Sequence, residues 1–150
     1  MRRLSSVDEF SEFRQRILSE KEQQYDRPTL VVCAGTGGQA SGSNDILRII
    51  KRYILDRSLQ TKVDLRVTGC QGFCEMDPFI VVEPGRHLYP KLKMEDVSKV
   101  IDAAVGGFVN ESLIYREPRA DRTYHNQNDI PFFKKQKRVV LGNNQKLDPI

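Results

Sequence analysis

The sequence contains no tryptophan, two histidines and three cysteines among its 150 residues. It also lacks any apolar run near the roughly 20 residues that a membrane-spanning helix needs, so we expect no membrane insertion. The basic N-terminus has no apolar stretch behind it and is not expected to be a secretory signal. We therefore expect a cytoplasmic location. In that compartment thiols are kept reduced, so we do not expect the three cysteines to form a disulfide framework, and their odd number points the same way.

Charge is unevenly distributed along the chain. Residues 1–114 carry 16 basic and 16 acidic side chains, whereas residues 115–150 carry 8 basic and 4 acidic ones, which accounts for the net charge of +4. The basic residues of this tail are few and are interrupted by apolar ones. We therefore expect no nucleic-acid binding and interpret them as the charged edge of a docking segment.

Hydrophobic periodicity predicts an alternation of helices and strands. Capping-box spacing from Ser6 to Glu9 predicts a first helix that ends near Gln24. A helix capped within residues 43–45 and a last helix over 97–105 have broad apolar faces. Strands are predicted at 29–32, 63–67, 79–83 and 87–89, the last two as a hairpin.

This order predicts where the cysteines meet. The first strand–helix–strand unit should be a right-handed crossover, which places its two strands side by side and parallel. The loops that carry Cys33 and Cys70 would then leave the sheet at the same end. The predicted fold is a thioredoxin-like α/β sandwich, with a four-stranded mixed sheet, flanking helices and an extended C-terminal tail.

The cysteines lie on two glycine-bearing loops. Cys33 begins a stretch with four glycines, and Cys70 and Cys74 enclose Gln71-Gly72-Phe73. Iron–sulfur clusters need soft thiolate ligands, and glycines let backbone N–H groups approach the sulfurs. The glycines predicted to surround a cluster in this way are Gly35, Gly37, Gly38 and Gly42.

Several motifs together resemble a known family. Cys-x-Gly-Thr-Gly from Cys33, Gln-Ala-Ser-Gly-Ser, Thr-Gly-Cys-x-Gly-Phe-Cys and Val-Val-Glu-Pro-Gly resemble the thioredoxin-like [2Fe-2S] ferredoxin domain. That domain occurs in complex I-type NADH dehydrogenases and in multisubunit, electron-bifurcating hydrogenases. The resemblance, over residues 28–110, implies that Cys33, Cys70 and Cys74 are metal ligands. The family's first motif is Cys-x-x-x-x-Cys, and its second cysteine falls on Gly38, so three of the four ligands remain.

The missing cysteine leaves two options. An oxygen ligand from Ser41, Ser43, Asp45 or a partner could complete a [2Fe-2S] cluster. Alternatively, the cluster is lost and the domain is a cluster-free interaction module. The first option makes the chain an electron relay, and the second makes it a structural part of the same complex.

The tail carries a second resemblance. Residues 130–149 resemble the opening of an NADH- and flavin-binding subunit, which divides the chain into a domain at 1–112 and a linker and docking tail at 113–150. Because the sequence ends at Ile150, FMN and NADH are expected only on a partner or a missing C-terminal part. The chain is then an accessory part of an NAD(P)H-dependent oxidoreductase complex, not catalytic alone, with a homodimer as a further option.

Other interpretations remain beside this one. Zinc would need His87 or His125 as the fourth ligand. The pattern Gly-x-Gly-x-x-Ala from Gly35 is a weak nucleotide signal, because the second strand does not end in an acid. Cys70 and Cys74 are one residue too far apart for a Cys-x-x-Cys redox motif, although a regulatory disulfide stays open. Aromatic residues have predicted roles as a shield of the site (Phe73) and as anchors onto a partner (Phe132 and Phe133).

Overall fold

A four-stranded sheet forms the centre of the molecule. The computed structural model describes residues 3–24, 27–139 and 142, with side chains of the first helix described as far as Ser19. Its strands are β1 (Thr29–Cys33), β2 (Asp64–Thr68), β3 (Ile80–Glu83), β4 (His87–Tyr89), β5 (Arg116–Glu117) and β6 (Arg122–Thr123). Its α-helices are α1 (Val7–Gln24), α2 (Thr36–Ala40), α3 (Ser43–Asp56), α4 (Val97–Gly106) and α5 (Pro131–Lys134).

The order of strands in the main sheet is β2-β1-β3-β4. β1 and β2 are parallel, whereas β1 with β3 and β3 with β4 are antiparallel. The predicted mixed sheet, its parallel first pair and its hairpin are thereby confirmed. The register pairs Cys33 with Thr68, so the chain leaves both parallel strands at the same end of the sheet.

One face of the sheet is covered by helices. Side chains alternate across a strand, so Leu30 and Val32 of β1 point to this face together with Ile80 and Val82 of β3. The helices α3 and α4 supply the opposing apolar side chains, which are Ile46, Ile50, Ile54, Val97, Val100, Ile101 and Ala104. We call this the helix-covered face.

The other face is covered by residues 115–135, which we call the C-terminal cover. Val31, Cys33, Val81 and Leu88 point to it from the sheet. The cover consists of Tyr115, the small β5–β6 hairpin, a 3-10 turn at Gln127–Asp129 and α5. Its buried apolar side chains are Tyr115, Tyr124 and Ile130.

Within the predicted linker and docking tail at 113–150, residues 116–129 form a short hairpin and a 3-10 turn that pack on the sheet. The sequence is polar there because the exposed residues of a short hairpin and turn outnumber the buried ones. Tyr124 is only 8% exposed and packs in the same cluster as Cys33. The later motifs of the flavoprotein resemblance, at residues 140–141 and 146–149, lie outside the described residues.

Helix boundaries follow the predicted signals at most positions. The Ser6 hydroxyl accepts the Glu9 N–H at 3.1 Å, as a capping box requires. Helix α4 ends at Gly107, whose φ of 72° is left-handed and favours glycine. Helix α3 has no side-chain cap, contrary to the cap predicted within residues 43–45, because left-handed Gly42 precedes it directly. No helix in the described ranges is long and apolar enough to cross a membrane.

Candidate functional site

Cys33 is the last residue of β1 and points to the face of the C-terminal cover. It is 1% exposed. Its thiol accepts hydrogen bonds from the backbone N–H groups of Gly35 and Gln71, which lie on the two different cysteine loops. Burial raises the pKa of the Cys33 thiol, and the two N–H groups oppose this by stabilising the thiolate. The sulfur is thus fixed between the loops.

Cys70 and Cys74 lie close together on the loop after β2. Their sulfur atoms are 3.3 Å apart, and both residues are exposed. A 3-10 turn at Cys74–Met76 brings the second cysteine back towards the first, and the backbone N–H of Gly72 donates to the Cys70 sulfur at 3.3 Å. The hydrogen bond with Cys70 raises the pKa of Cys74 to about 11, with burial and nearby negative charge adding to the effect.

Two of the predicted glycines allow the loops to approach each other. A Cβ atom on Gly35 would lie 2.7 Å from Cys70 Cβ and 2.9 Å from its backbone nitrogen. Only a glycine permits that approach, which packs the loop after β1 against the loop after β2. A Cβ atom on Gly37 would lie 3.2 Å from Cys74 Sγ. Gly37 is therefore the glycine of helix α2 that faces the exposed thiols.

Gly38 faces a different way from the fourth ligand that the family pattern implies. A Cβ atom there would lie 2.7 Å from the carbonyl oxygen of Cys33 and 2.9 Å from Ser43 Oγ. It would point into packed backbone rather than towards Cys70 and Cys74. Gly42 has nothing within 4 Å of such an atom, and its φ of 97° makes it a turn residue. Gly38 and Gly42 are therefore explained by local packing and by backbone conformation, respectively, which the sequence pattern alone does not reveal.

An acidic residue that the sequence interpretation missed belongs to this cluster. Asp77 follows the 3-10 turn at Cys74–Met76 and is only 8% exposed. Within the described residues neither of its carboxylate oxygens has a hydrogen-bond partner of ordinary geometry. Burial raises the pKa of Asp77, and the nearby Cys33 thiol, a weak donor, lowers it by less. In turn, the Asp77 charge raises the pKa of both Cys33 and Cys74.

Buried amides join the cysteine loop to the C-terminal cover. Gln71 lies between the two exposed cysteines yet is 2% exposed, and Gln127 of the cover is 1% exposed. Gln127 Nε2 donates to Gln71 Oε1 at 3.2 Å, and Gln71 Nε2 donates to Thr68 Oγ1 at 3.2 Å. Arg86, which lies in the turn between β3 and β4, donates to Gln127 Oε1 at 2.7 Å. This chain of hydrogen bonds holds the loop between Cys70 and Cys74 in place, and no sequence motif signals it.

Aromatic side chains and one arginine hold the same loop from outside. Phe73 stacks on Phe132 at 4.5 Å between ring centroids and meets Phe133 edge-on at 5.1 Å. Phe132 and Phe133 thus pack within the chain, and their role as anchors onto a partner stays a prediction. Arg138 donates to the Gln71 carbonyl at 2.6 Å. Phe73 is 6% exposed and packs in the same cluster as Cys33, and its role as a shield of the site stays a prediction.

The other proposed ligands lie elsewhere or in unsuitable positions. His87 Nδ1 lies 2.6 Å from the carbonyl oxygen of His125, so each histidine is engaged away from the thiols. Asp45 is exposed and forms an ion pair with Arg48 at 3.2 Å, and Ser41 ends α2 on the surface. Across residues 3–24 and 27–139, no three Cys, His, Asp or Glu side chains come close enough to bind a single metal ion.

Comparisons with known proteins identify the fold. No protein-family model matches the chain. The crystal structure of the wild-type thioredoxin-like [2Fe-2S] ferredoxin from Aquifex aeolicus is 25% identical, with a TM-score of 0.54 over 61% of this chain and 98% of the ferredoxin. The fold is that of a thioredoxin-like ferredoxin.

Further structures of the same kind of protein extend the comparison. Another thioredoxin-like [2Fe-2S] ferredoxin structure from Aquifex aeolicus is 22% identical, with a TM-score of 0.55 over 65% of this chain and 98% of the other. A variant with serine in place of one cysteine is 24% identical, with a TM-score of 0.54 over 60% and 99%.

Proposed function

We propose that this chain is a single-electron carrier whose [2Fe-2S] cluster is held by Cys33, Cys70 and Cys74. One observation carries the proposal: the two cysteine-bearing segments, some forty residues apart in sequence, meet at one end of the sheet through Gly35. Gly35 and Cys70 approach so closely that no other residue type fits between the loops. Soft thiolates from two glycine-bearing loops suit an iron–sulfur cluster.

The environment of the sulfurs supports the same role. A bound cluster would accept one electron and pass it on, with a potential that depends on hydrogen bonds to its sulfurs. Backbone N–H groups of Gly35 and Gln71 already donate to Cys33, and that of Gly72 donates to Cys70. These donors stabilise negative charge on sulfur. Exposure of Cys70 and Cys74 leaves the site open to a redox partner.

We further propose that the redox partner is an NADH- and flavin-binding subunit. The resemblance of residues 130–149 to the opening of such a subunit supports this partner, as does the basic excess of the tail. The purified flavoprotein, reduced with NADH, should bleach the visible absorption of this protein in a salt-dependent manner. Failure to bleach it, with dithionite still doing so, would leave the electron carrier and remove this partner.

A thiol–disulfide function is the second candidate, favoured by the 3.3 Å between the sulfurs of Cys70 and Cys74. Forming a bond of about 2.05 Å would need a small movement, two electrons lost to an oxidant and two protons released. However, a pKa raised to about 11 keeps Cys74 protonated and a poor nucleophile at neutral pH. This candidate also leaves the buried positions of Cys33 and Asp77 unexplained.

The deciding experiment is purification of the full chain without oxygen, followed by iron and sulfide analysis. About two irons and two sulfides per chain, with visible absorption that bleaches on reduction and a reduced-state electron paramagnetic resonance signal, are expected. Cys33→Ser and Cys70→Ser should each lower the iron content. A colourless, iron-free protein would overturn the electron-carrier proposal in favour of a cluster-free module, and zinc in the analysis would favour the structural zinc site.

An independent experiment tests the thiol–disulfide function: mass spectrometry after mild oxidation measures whether the protein has formed a disulfide bond. A loss of two hydrogens that maps to Cys70 and Cys74, in an iron-free protein, supports the disulfide function. Cys33→Ser should leave that loss unchanged, because Cys33 is buried and takes no part in the pair.

A further inference from the structure

We propose that Asp77 is the fourth protein ligand of the cluster, and that it supplies an oxygen from a different position in place of the missing thiolate. The inference rests on the proposed function, because it concerns the same site. It replaces Ser41, Ser43 and Asp45, which the sequence offers as oxygen donors, with a residue that only the tertiary structure brings to the thiols.

The burial of Asp77 is the first observation. Its side chain is only 8% exposed, and within the described residues neither oxygen has a hydrogen-bond partner of ordinary geometry, the Cys33 thiol beside it being only a weak donor. Burying a carboxylate without a partner is costly, so buried acids are normally paired with a cation, hydrogen-bonded or bound to a metal. No basic side chain or well-placed donor fills that role here among the described residues. A cationic iron would be a partner of the right charge.

The location of the carboxylate is the second observation. A single atom placed on Gly37 would lie 3.2 Å from Cys74 Sγ and 3.9 Å from Asp77 Oδ2, so both border the same space. The Cys33 thiol also lies beside the Asp77 carboxylate. The Asp77 carboxylate therefore lies next to both the buried thiol of Cys33 and the exposed thiol of Cys74.

Ser43 is the nearest competitor and is less well placed. Its hydroxyl is fully buried and has no partner among the described residues. However, a Cβ atom on Gly38 would lie 2.9 Å from Ser43 Oγ and 2.7 Å from the Cys33 carbonyl oxygen. Ser43 thus borders backbone beneath α2, whereas Asp77 borders sulfur.

The chemistry of a two-iron cluster accommodates this set of donors. The four groups do not converge closely enough for a single ion, but a [2Fe-2S] cluster divides four ligands between two irons. Other residues can replace cysteine on one iron, as two histidines do in Rieske centres. An oxygen ligand would make the two irons chemically different, which is directly measurable.

The first test uses the wild-type full chain, loaded anaerobically with ⁵⁷Fe and labelled with [¹³C]carboxyl-aspartate. Mössbauer spectra should resolve two unlike irons in equal amounts, and pulsed electron–nuclear double resonance of the reduced cluster should show a ¹³C coupling. All-sulfur coordination of both irons, without that coupling, would overturn the role of Asp77 while leaving the electron carrier intact. An iron-free wild type would overturn both proposals together.

The second test compares variants of neighbouring acids. Asp77→Asn should abolish the ¹³C coupling and lower cluster content at least several-fold, and Asp77→Cys should restore the content and make the two irons alike. Glu75→Gln is the matched control, because Glu75 lies in the same turn but is exposed, and its cluster should equal the wild type. An Asp77→Asn protein with full iron and an unchanged spectrum would overturn the inference, as would loss of the coupling in Ser43→Ala alone. The wild-type spectra keep the test decisive if Asp77→Asn does not fold.

Discussion

The two faces of the central sheet are equally well buried from solvent, but different kinds of structure cover them. On the helix-covered face, Ile50 of α3 is 0% exposed, and on the opposite face Ile130 of the C-terminal cover is 1% exposed. Two regular helices cover the first face. A hairpin with two residues in each strand, a 3-10 turn and a one-turn helix cover the second. Aromatic rings and a buried amide fill the second cover, which also contacts the cysteine loop.

This difference separates stability from function. Regular helices bury an apolar stripe without involving the site, because α3 and α4 contact Leu30 and Val32 rather than Cys33. The C-terminal cover packs in the same cluster as Cys33 and Phe73. Changes on the helix-covered face should therefore affect unfolding alone, and changes in the cover should affect both unfolding and the cysteine loop.

The largest effect is expected from Ile50→Ala. Removing this fully buried side chain from the helix-covered face should lower the free energy of unfolding by about 3 kcal/mol, through lost burial and the cavity left behind. Urea denaturation followed by circular dichroism measures it. Leu55→Ala, on the same helix but 62% exposed, is the control and should change little.

Ile130→Ala is the matched substitution on the opposite face. We expect a loss of about 2 kcal/mol, less than for Ile50 because an irregular segment can collapse into the cavity. Exposed Arg119 lies in the hairpin of the same cover, so Arg119→Ala is its control. An effect of Ile130→Ala no larger than that of the control would mean that the segment is a linker after all.

Gln127→Ala tests the buried amides. It removes the donor to Gln71 Oε1 and the acceptor of Arg86, and leaving such groups short of a partner should cost about 1–2 kcal/mol. Alkylation of Cys70 and Cys74 in the metal-free protein should also become faster, because their loop loses a restraint. Asn128→Ala, an exposed amide on the same turn, should leave both measurements unchanged, and an equal response from both variants would contradict the proposed coupling.

Phe132→Ala should have the smallest effect of the four. Its ring is 38% exposed and stacks on Phe73 at 4.5 Å, and such a pair contributes about 1 kcal/mol. Thermal unfolding monitors the loss, and Val139→Ala, at an 81% exposed position, is the control. An unchanged melting temperature would indicate that Phe132 is available to a partner rather than committed to this chain.

Much of the fold could be predicted from the sequence because its signals are local. Apolar residues at helical spacing indicated α3 and α4, and alternation with Pro84-Gly85 indicated the β3–β4 hairpin. The cover could not be predicted in this way. Its buried residues, such as Tyr124 and Ile130, are too widely separated to form a period, and each is buried by the sheet rather than by its neighbours in sequence.

The residues of the candidate site likewise fall into those that the sequence indicates and those that only the structure indicates. Cys33, Cys70 and Cys74 stand out in the sequence because thiols on glycine-bearing loops after strands are rare and chemically distinctive. Asp77 and Gln71 do not stand out, since an acid and an amide are most often exposed. Only their burial, at 8% and 2% exposure, indicates a special role.

By itself, the sequence determined the order of the four main strands and of α1, α3 and α4, the meeting of the two cysteine loops and the resemblance to a ferredoxin domain. Those properties depend on residue type and spacing, which are local and visible in the chain. The tertiary structure alone decided which glycine faces the thiols, which segment covers the second face of the sheet and which carboxylate lies beside Cys33. Those properties depend on distances between residues far apart in sequence, and burial and packing fix them only when the chain has folded.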